Sequence, residues 1–339
     1  MQSLKPVKLG ILGMGTVASG LINIIELNKN KVHNTVNREL VVNKVLVNSL
    51  DKKRNVNLPK EVYTTDAYEV INDKDADIIV ELMGGINPAY EYIREALNNK
   101  KHVVTANKAL IATHGEELES LADENGVKLM YEASVGGGIP ILNTIRDNLS
   151  ANEFESVFGI INGTTNYILT QMAENGLEYD QAVKEAQRLG FAEADPSSDV
   201  DGDDAAYKLS ILSTLAFGKR INVKNEFNAV FLKGNAVGEL MLYGKGAGSL
   251  PTGSAVLGDI LHIIKNNESP LAANEKADDK KCIITNRACK QYYIRMEVID
   301  KPGVLGGIAS NFGKNNVSLA SVVQKQKNGE TAPLIFITH

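Results

Sequence analysis

The first 131 residues alternate short β-branched apolar runs with stretches of helical period. The runs are VKLGIL (7–12), LVVNKVLV (40–47), DIIVELM (77–83), HVVTA (102–106) and VKLMY (127–131). Between them lie VASGLINIIELN (17–28), AYEVIND (67–73), AYEYIREALNN (89–99) and GEELESLADENG (115–126). Strand and helix alternating at this spacing predict a parallel sheet covered by helices on both faces, because each parallel strand needs a crossover to begin the next. The expected fold class is therefore α/β, with a Rossmann-type doubly wound sheet at the N-terminus.

The first strand-to-helix turn carries Gly13, Gly15 and Ala18 in LGILGMGTVASGL, the G-x-G-x-x-G/A spacing of a dinucleotide loop. The first glycine permits the tight turn, the second lets backbone approach a pyrophosphate, and Ala18 allows helix and strand to pack closely. Thr16 and Val17 then open a helix whose first N–H groups face the phosphates. Gly84 and Gly85 after DIIVELM, and Lys108 after HVVTA, fall at other strand ends, where ligands bind in open α/β sheets. Asn48 stands where an acidic residue would favour NAD through the ribose hydroxyls. Lys52, Lys53 and Arg54 just beyond can pair with a 2′-phosphate or form a solvated loop, so the reading is NADP or NAD, leaning to NADP. Lys5 and Lys8 ahead of an apolar stretch superficially resemble a signal peptide, but the glycine spacing favours the loop.

Beyond residue 134 the pattern becomes mixed. GGGIPILNTIRDNL reads as helix, FESVFGIING as strand, and YDQAVKEAQRLG as an amphipathic helix stopped at Gly190. DAAYKLSILSTLAF (204–217) reads as a helix with an acidic start and Gly218 as its stop. A strand, a glycine-rich turn and a long helix follow to about 268, then an aperiodic linker at 269–290, then strand, helix, strand, strand to the end. A net charge of −5 without a long basic run gives no footprint for nucleic acid or an anionic membrane surface. No run reaches the ~20 apolar residues of a membrane span. The two cysteines, Cys282 and Cys289, match neither a disulfide framework nor zinc spacing, and a cytoplasmic setting is the simplest expectation.

Residues 190–210, GFAEADPSSDVDGDDAAYKLS, concentrate six carboxylates ahead of a single Lys208. A calcium loop starting at Asp199 would need Gly at its sixth position and Glu at its twelfth, where Asp204 and Ser210 stand. A solvated acidic loop capping the next helix explains several of the acids but not Lys208. Lys208 follows Asp204 by one turn, so an ammonium and a carboxylate share a helix face. A third reading is a site for an amino-acid-like substrate whose carbonyl is reduced. Carboxylates would hold its ammonium, and the lysine would supply a proton to the developing alkoxide. The surrounding negative charge is then expected to help keep Lys208 protonated.

AQRLGFAEADPSSDVDGDDAAYK (186–208) resembles the signature of the homoserine dehydrogenase family, as do ANKAL, YEASVGGGIP, NGTTNYI and GSLPTGSAVLGDI. The resemblance implies NAD(P)-dependent interconversion of L-aspartate 4-semialdehyde and L-homoserine, with Lys208 as proton donor and Lys108 at the nicotinamide and substrate. It assigns Glu193, Asp204, Asp199 and Thr164 to the substrate, with Thr165 and Asn166 nearby, and returns Gly248 to the cofactor. It also implies a sodium ion held by main-chain carbonyls of Glu132, Val135, Gly137 and Ile139. The domains expected are 1–134 with 248–268 for the dinucleotide, 135–247 for catalysis and dimerisation, and 291–339 as a partial ACT-like (ferredoxin-like) module. A homodimer or homotetramer and a threonine effector come with the family.

Two departures stand out. Only VKNE separates GKRIN (218–222) from FNAVF (227–231), where the family carries a much longer segment, and the ACT-like tail stops after its third strand. A thioester-forming aldehyde dehydrogenase needs a cysteine inside a motif, and neither cysteine lies in one. An amino-acid sensor with a non-catalytic dinucleotide domain is the alternative of a different class.

Overall fold

Six parallel strands order the N-terminal half: β1 (Val7–Leu12), β2 (Leu40–Leu46), β3 (Tyr63–Thr64), β4 (Ile78–Glu81), β5 (His102–Thr105) and β6 (Leu129–Met130). They lie as β3-β2-β1-β4-β5-β6, so the chain reverses direction across the sheet between β1 and β4. That reversal opens the crevice in which such sheets bind ligands. The computed structural model describes residues 5–218, 231–242, 244–265, 292–324 and 331–339. The expected linker at 269–290, with both cysteines, and the short 223–226 segment lie outside these residues.

The connecting helices are α1 (Thr16–Leu27), α2 (Lys29–Val36), α3 (Ala67–Ile71), α4 (Ala89–Asn98) and α5 (Lys108–Glu124). β4 is buried at every position and β1 at all but Lys8, as strands covered on both faces must be. The helix after β5 starts at Lys108, well before Gly115, because Asn107 caps it by accepting from the Leu110 N–H at 3.2 Å. Lys108 is therefore the first residue of α5.

The chain then runs through α6 (Ile141–Asn143), which widens into a π turn over Thr144–Asn148, and β7 (Phe154–Phe158). Next come α7 (Gly163–Asn175), α8 (Tyr179–Arg188), α9 (Ser197–Val200) and α10 (Asp203–Phe217). A hairpin follows, β8 (Phe231–Gly234) and β9 (Gly238–Met241), giving an antiparallel sheet in the order β7-β8-β9. β9 was not legible as a strand, since its residues read as part of a glycine-rich turn.

Helix α11 (Ser249–Lys265) returns to the parallel sheet and packs along α1. The approach is close because both helices offer glycine: a Cβ on Gly20 would meet the Ser249 carbonyl oxygen at 2.0 Å, and one on Gly253 the Leu21 nitrogen at 2.6 Å. Leu21, Ile11, Val256 and Ile260 are fully buried in the same cluster. Each such side chain contributes roughly 1.5–3 kcal/mol.

The chain divides into two compact units, Met1–Asp279 and Lys280–His339. The second holds β10 (Tyr293–Ile299), α12 (Val304–Lys314), β11 (Leu319–Gln324) and β12 (Thr331–Thr338), with an antiparallel sheet in the order β10-β12-β11. Phe336 at its centre is fully buried, its ring 5.1 Å from that of Phe312. Among the described residues no helix is long and apolar enough to cross a membrane.

Candidate active site

Gly13 leaves β1 at φ +96°, and a Cβ there would press on the Leu82 carbonyl, so the β1 turn and the β4 turn touch. Gly15 caps α1 with nothing within 4 Å of where its Cβ would stand. Backbone N–H groups of Thr16 and Val17 open the helix over this space, and the Gly84 and Gly85 turns, both at positive φ, border β4. The room and the donors fit a dinucleotide pyrophosphate. Ser249 Oγ donates to the Thr16 carbonyl at 2.8 Å, which brings Gly248 beside the same turn.

Glu81 sits fully buried at the end of β4. It accepts from Thr105 Oγ1 at 2.6 Å and from the Met83 N–H at 2.7 Å. Thr105 Oγ1 in turn accepts from the Asn107 N–H at 3.0 Å, and Asn107 Nδ2 donates to the Gly85 carbonyl at 2.5 Å. Burial pushes the Glu81 carboxyl up, against the pull of these donors. The chain of bonds ties the 83–85 turn to the start of α5, where Lys108 stands.

Asp204, only 3% exposed, begins α10. Lys108 Nζ pairs with its Oδ1, and Lys208 Nζ lies 2.7 Å from its Oδ2. Lys208 also donates to the Ile161 carbonyl at 2.6 Å. Burial opposes the charge on Asp204, but the two ammonium groups prevail and hold its pKa below the ordinary range. For Lys208 burial is the stronger influence and lowers its pKa in spite of Asp204. Asp204 and Asp199 do act to keep Lys208 protonated, as expected of acidic neighbours, while desolvation, which the sequence did not reveal, outweighs them in the net shift.

Asn162, the cap of α7, donates through Nδ2 to Asp204 Oδ2 at 2.9 Å and to Asp199 Oδ1 at 2.7 Å. Thr164 Oγ1 is 2.9 Å from Asp199 Oδ2 and 2.7 Å from the Phe191 carbonyl. Asp199, Thr164 and Asp204 therefore form one hydrogen-bonded group with Asn162 at its centre. Thr165 joins it through Asn162 Oδ1, while the Asn166 N–H donates to the Asn162 carbonyl at 3.4 Å. Glu193 is exposed on the loop after α8 and is not drawn into the group. Asp195 accepts from the Ser197 N–H and hydroxyl and so holds the loop that leads into α9.

Asn162 and Glu81 escaped the sequence reading. Asn162 precedes GTTNYI in the position of a helix cap, and Glu81 is a lone acid closing an apolar strand, so each left a signal. Arg54 is held by the Lys52 and Ser49 carbonyls and lies 4.9 Å from the Tyr63 ring centre, while Lys52 and Lys53 are exposed. Glu132 has a role of its own: its carboxylate accepts from the N–H groups of Leu142 and Asn143, at 2.9 and 2.6 Å, and anchors α6. Asp259, buried beside it, accepts from the Glu132 N–H at 2.8 Å. Among the described residues, no cluster of three His, Cys, Asp or Glu side chains could hold a metal. The Val135 and Gly137 carbonyls, both on buried residues, receive no hydrogen bond from a described group, which fits an oxygen-only site for a monovalent cation.

Comparison with known proteins places two family models on the chain. "Homoserine dehydrogenase, NAD binding domain" matches residues 13–132, and "Homoserine dehydrogenase" matches 140–225 and again 220–261. A homoserine dehydrogenase of Bacillus subtilis is 38% identical over 398 aligned positions, covering 99% of this chain and 92% of the relative. One from Synechocystis is 36% identical with 98% and 92% covered. With 339 residues against 398 positions, about 60 positions of the Bacillus protein face gaps, and the family match itself breaks at 220–225. The crystal structure of a homoserine dehydrogenase from Thiobacillus denitrificans superposes with TM-score 0.80 at 34% identity, covering 100% of this chain and 92% of that one. A hyperthermophilic archaeal homoserine dehydrogenase in complex with NADPH gives 0.65 at 27%, covering 76% and 97%.

Proposed function

The chain belongs to the homoserine dehydrogenase family of NAD(P)-dependent oxidoreductases acting on a CH–OH group, and we propose that the Asp204 cluster is where it interconverts L-aspartate 4-semialdehyde and L-homoserine. The observation that carries this reading is one buried carboxylate gripping two lysines at the meeting of α5 and α10, beside the cofactor turns. The nicotinamide, when bound, supplies or accepts the hydride. Lys208 gives its proton to the aldehyde oxygen as negative charge develops there, and a pKa below that of free lysine makes it the readier acid. Lys108 adds a second positive charge at the same oxygen.

Asp204 fixes both lysines, and Asn162 fixes Asp204. The two Asp204 oxygens are already engaged, so the exposed carboxylate of Glu193 is the better first anchor for the substrate ammonium, with Asp199 and Thr164 behind it. A sodium ion held by the carbonyls of Glu132, Val135, Gly137 and Ile139 would stiffen the turn between the parallel sheet and α6. NADP is favoured over NAD by the exposed Lys52 and Lys53 and by the NADPH-bound relative.

The domain limits follow the same reading: 1–134 with 248–268 for the cofactor, 135–247 for the substrate, 269–290 as linker. Residues 291–339 form a partial ACT-like module, which the strand order β10-β12-β11 supports. A homodimer or homotetramer in the cytoplasm, with threonine as effector, completes the proposal. The test is absorbance at 340 nm with L-homoserine and NADP⁺ or NAD⁺. Substrate-dependent formation of the reduced cofactor is expected, and no change across several pH and salt conditions would overturn the proposal.

A further inference from the structure

The loop between α8 and α9 carries Glu193, and its hydrogen bonds are unevenly spread. Its start is tied by backbone: the N–H groups of Phe191 and Ala192 both donate to the Ala186 carbonyl, at 2.9 and 3.2 Å, and Ala192 is buried. Thr164 Oγ1 holds the Phe191 carbonyl to the group around Asp199. Its end is tied by Asp195, which accepts from the Ser197 N–H at 3.1 Å, and Pro196 stiffens that turn. Between these anchors, among the described residues, every hydrogen bond to the 193–194 backbone comes from a single side chain. Gln187 Nε2, in the last turn of α8, donates to the Glu193 carbonyl at 3.2 Å and to the Ala194 carbonyl at 3.1 Å. A primary amide has two hydrogens, so each carbonyl receives one. Successive residues of an extended chain face opposite ways, so two carbonyls gathered on one amide mark a bend. That bend sets the direction in which the Glu193 side chain leaves the backbone.

We propose that Gln187 is a positioning residue for Glu193: by clamping the two carbonyls it holds the exposed carboxylate where it meets the substrate ammonium. The inference rests on the assignment of Glu193 as the ammonium anchor. A carboxylate on an untethered loop loses backbone freedom when it binds, whereas a clamped one has lost most of it on folding. Gln187 acts only through Glu193, so it governs affinity for homoserine and leaves proton and hydride transfer alone.

The test is steady-state oxidation of L-homoserine by the full chain carrying Gln187→Met, Glu193→Gln or both, with cofactor titrations alongside. Gln187→Met keeps the length of the side chain and loses both donors. The two freed carbonyls turn to water on an exposed loop, so the variant is expected to fold. Its KM for L-homoserine should rise about threefold to tenfold, as the loss of two partly exposed hydrogen bonds implies, with kcat and cofactor affinity within about twofold. Glu193→Gln should raise KM about tenfold or more, because a charged contact is lost. In the Glu193→Gln background, Gln187→Met should add less than about twofold, since the group it positions is gone. An unchanged KM in Gln187→Met, or an effect undiminished in the Glu193→Gln background as a merely structural role would give, overturns the proposal and leaves Glu193 assigned. An unchanged KM in Glu193→Gln overturns the assignment of Glu193 and the proposal with it.

Discussion

Lys208 Nζ lies 2.7 Å from Asp204 Oδ2, four residues on and on the same side of α10. Because Asp204 is also held by Lys108 and Asn162, the position of the proton donor is set by three neighbours rather than by a flexible side chain. Lys208→Ala is expected to fold and bind cofactor normally but to lose roughly 10²–10⁴ in kcat, the usual contribution of a general acid. Cofactor-quenching titrations alongside steady-state rates check this. Turnover within a few-fold of wild type would remove Lys208 from the mechanism.

The direction of the Lys208 shift gives a pH prediction. Aldehyde reduction needs the ammonium, so its rate falls as pH rises through the folded-state pKa, which lies below the ordinary lysine value of 10.5. Homoserine oxidation needs the neutral amine and gains over the same range. Asp204 is the group that raises this pKa, so Asp204→Asn should move the alkaline limb of reduction to lower pH still. A pH profile of kcat in both directions measures it, and a limb that stays at the same pH in the variant contradicts the pairing.

Glu81 connects the 83–85 turn with the cap of α5. Glu81→Gln replaces an all-acceptor carboxylate with a group that must place an N–H against either Thr105 or the Met83 N–H, at a cost of about 1–3 kcal/mol. The expected signature is weaker cofactor binding and lower kcat together, with the KM for the aldehyde changed least. Thr105→Val, nearly the same shape, should show the same pattern more weakly. A loss of thermal stability with unchanged constants per folded enzyme would make Glu81 merely structural.

Asp259 is buried and its pKa is pushed up to about 7, first by burial and further by the neighbouring Glu132 carboxylate. An acid whose folded pKa exceeds its unfolded value stabilises the fold below the unfolded pKa and loses that contribution as pH rises through the folded one. The window is about pH 4 to 7, and the full effect is on the order of 4 kcal/mol. Urea unfolding at pH 5 and pH 8 should therefore show wild type losing stability relative to Asp259→Asn as pH rises. Parallel curves would contradict it.

The parallel sheet was legible because buried parallel strands are apolar throughout and leave a repeating signal. Its glycine turn and the Asp204–Lys208 face followed from fixed local spacing. What the sequence hid was tertiary. Lys108 and Asp204 are 96 positions apart and meet only because α5 and α10 pack together. Asn162 reaches both Asp199 and Asp204 from a helix cap, a contact no periodicity encodes. β9 is short and flanked by glycine, so its strand character rests on pairing with β8. The fall in Lys208's pKa was missed because charge can be counted from a sequence and burial cannot.

The seam of α1 and α11 has a consequence for how the chain is made. The side chains that complete the cover over β1, Val256 and Ile260 among them, leave the ribosome more than 200 residues after the strand they protect. Until then Leu21 and Ile11 lack the part of their cover that α11 supplies. A nascent chain must hold the nucleotide half unfinished while the whole substrate half is synthesised, which makes the early sheet a natural client for chaperones.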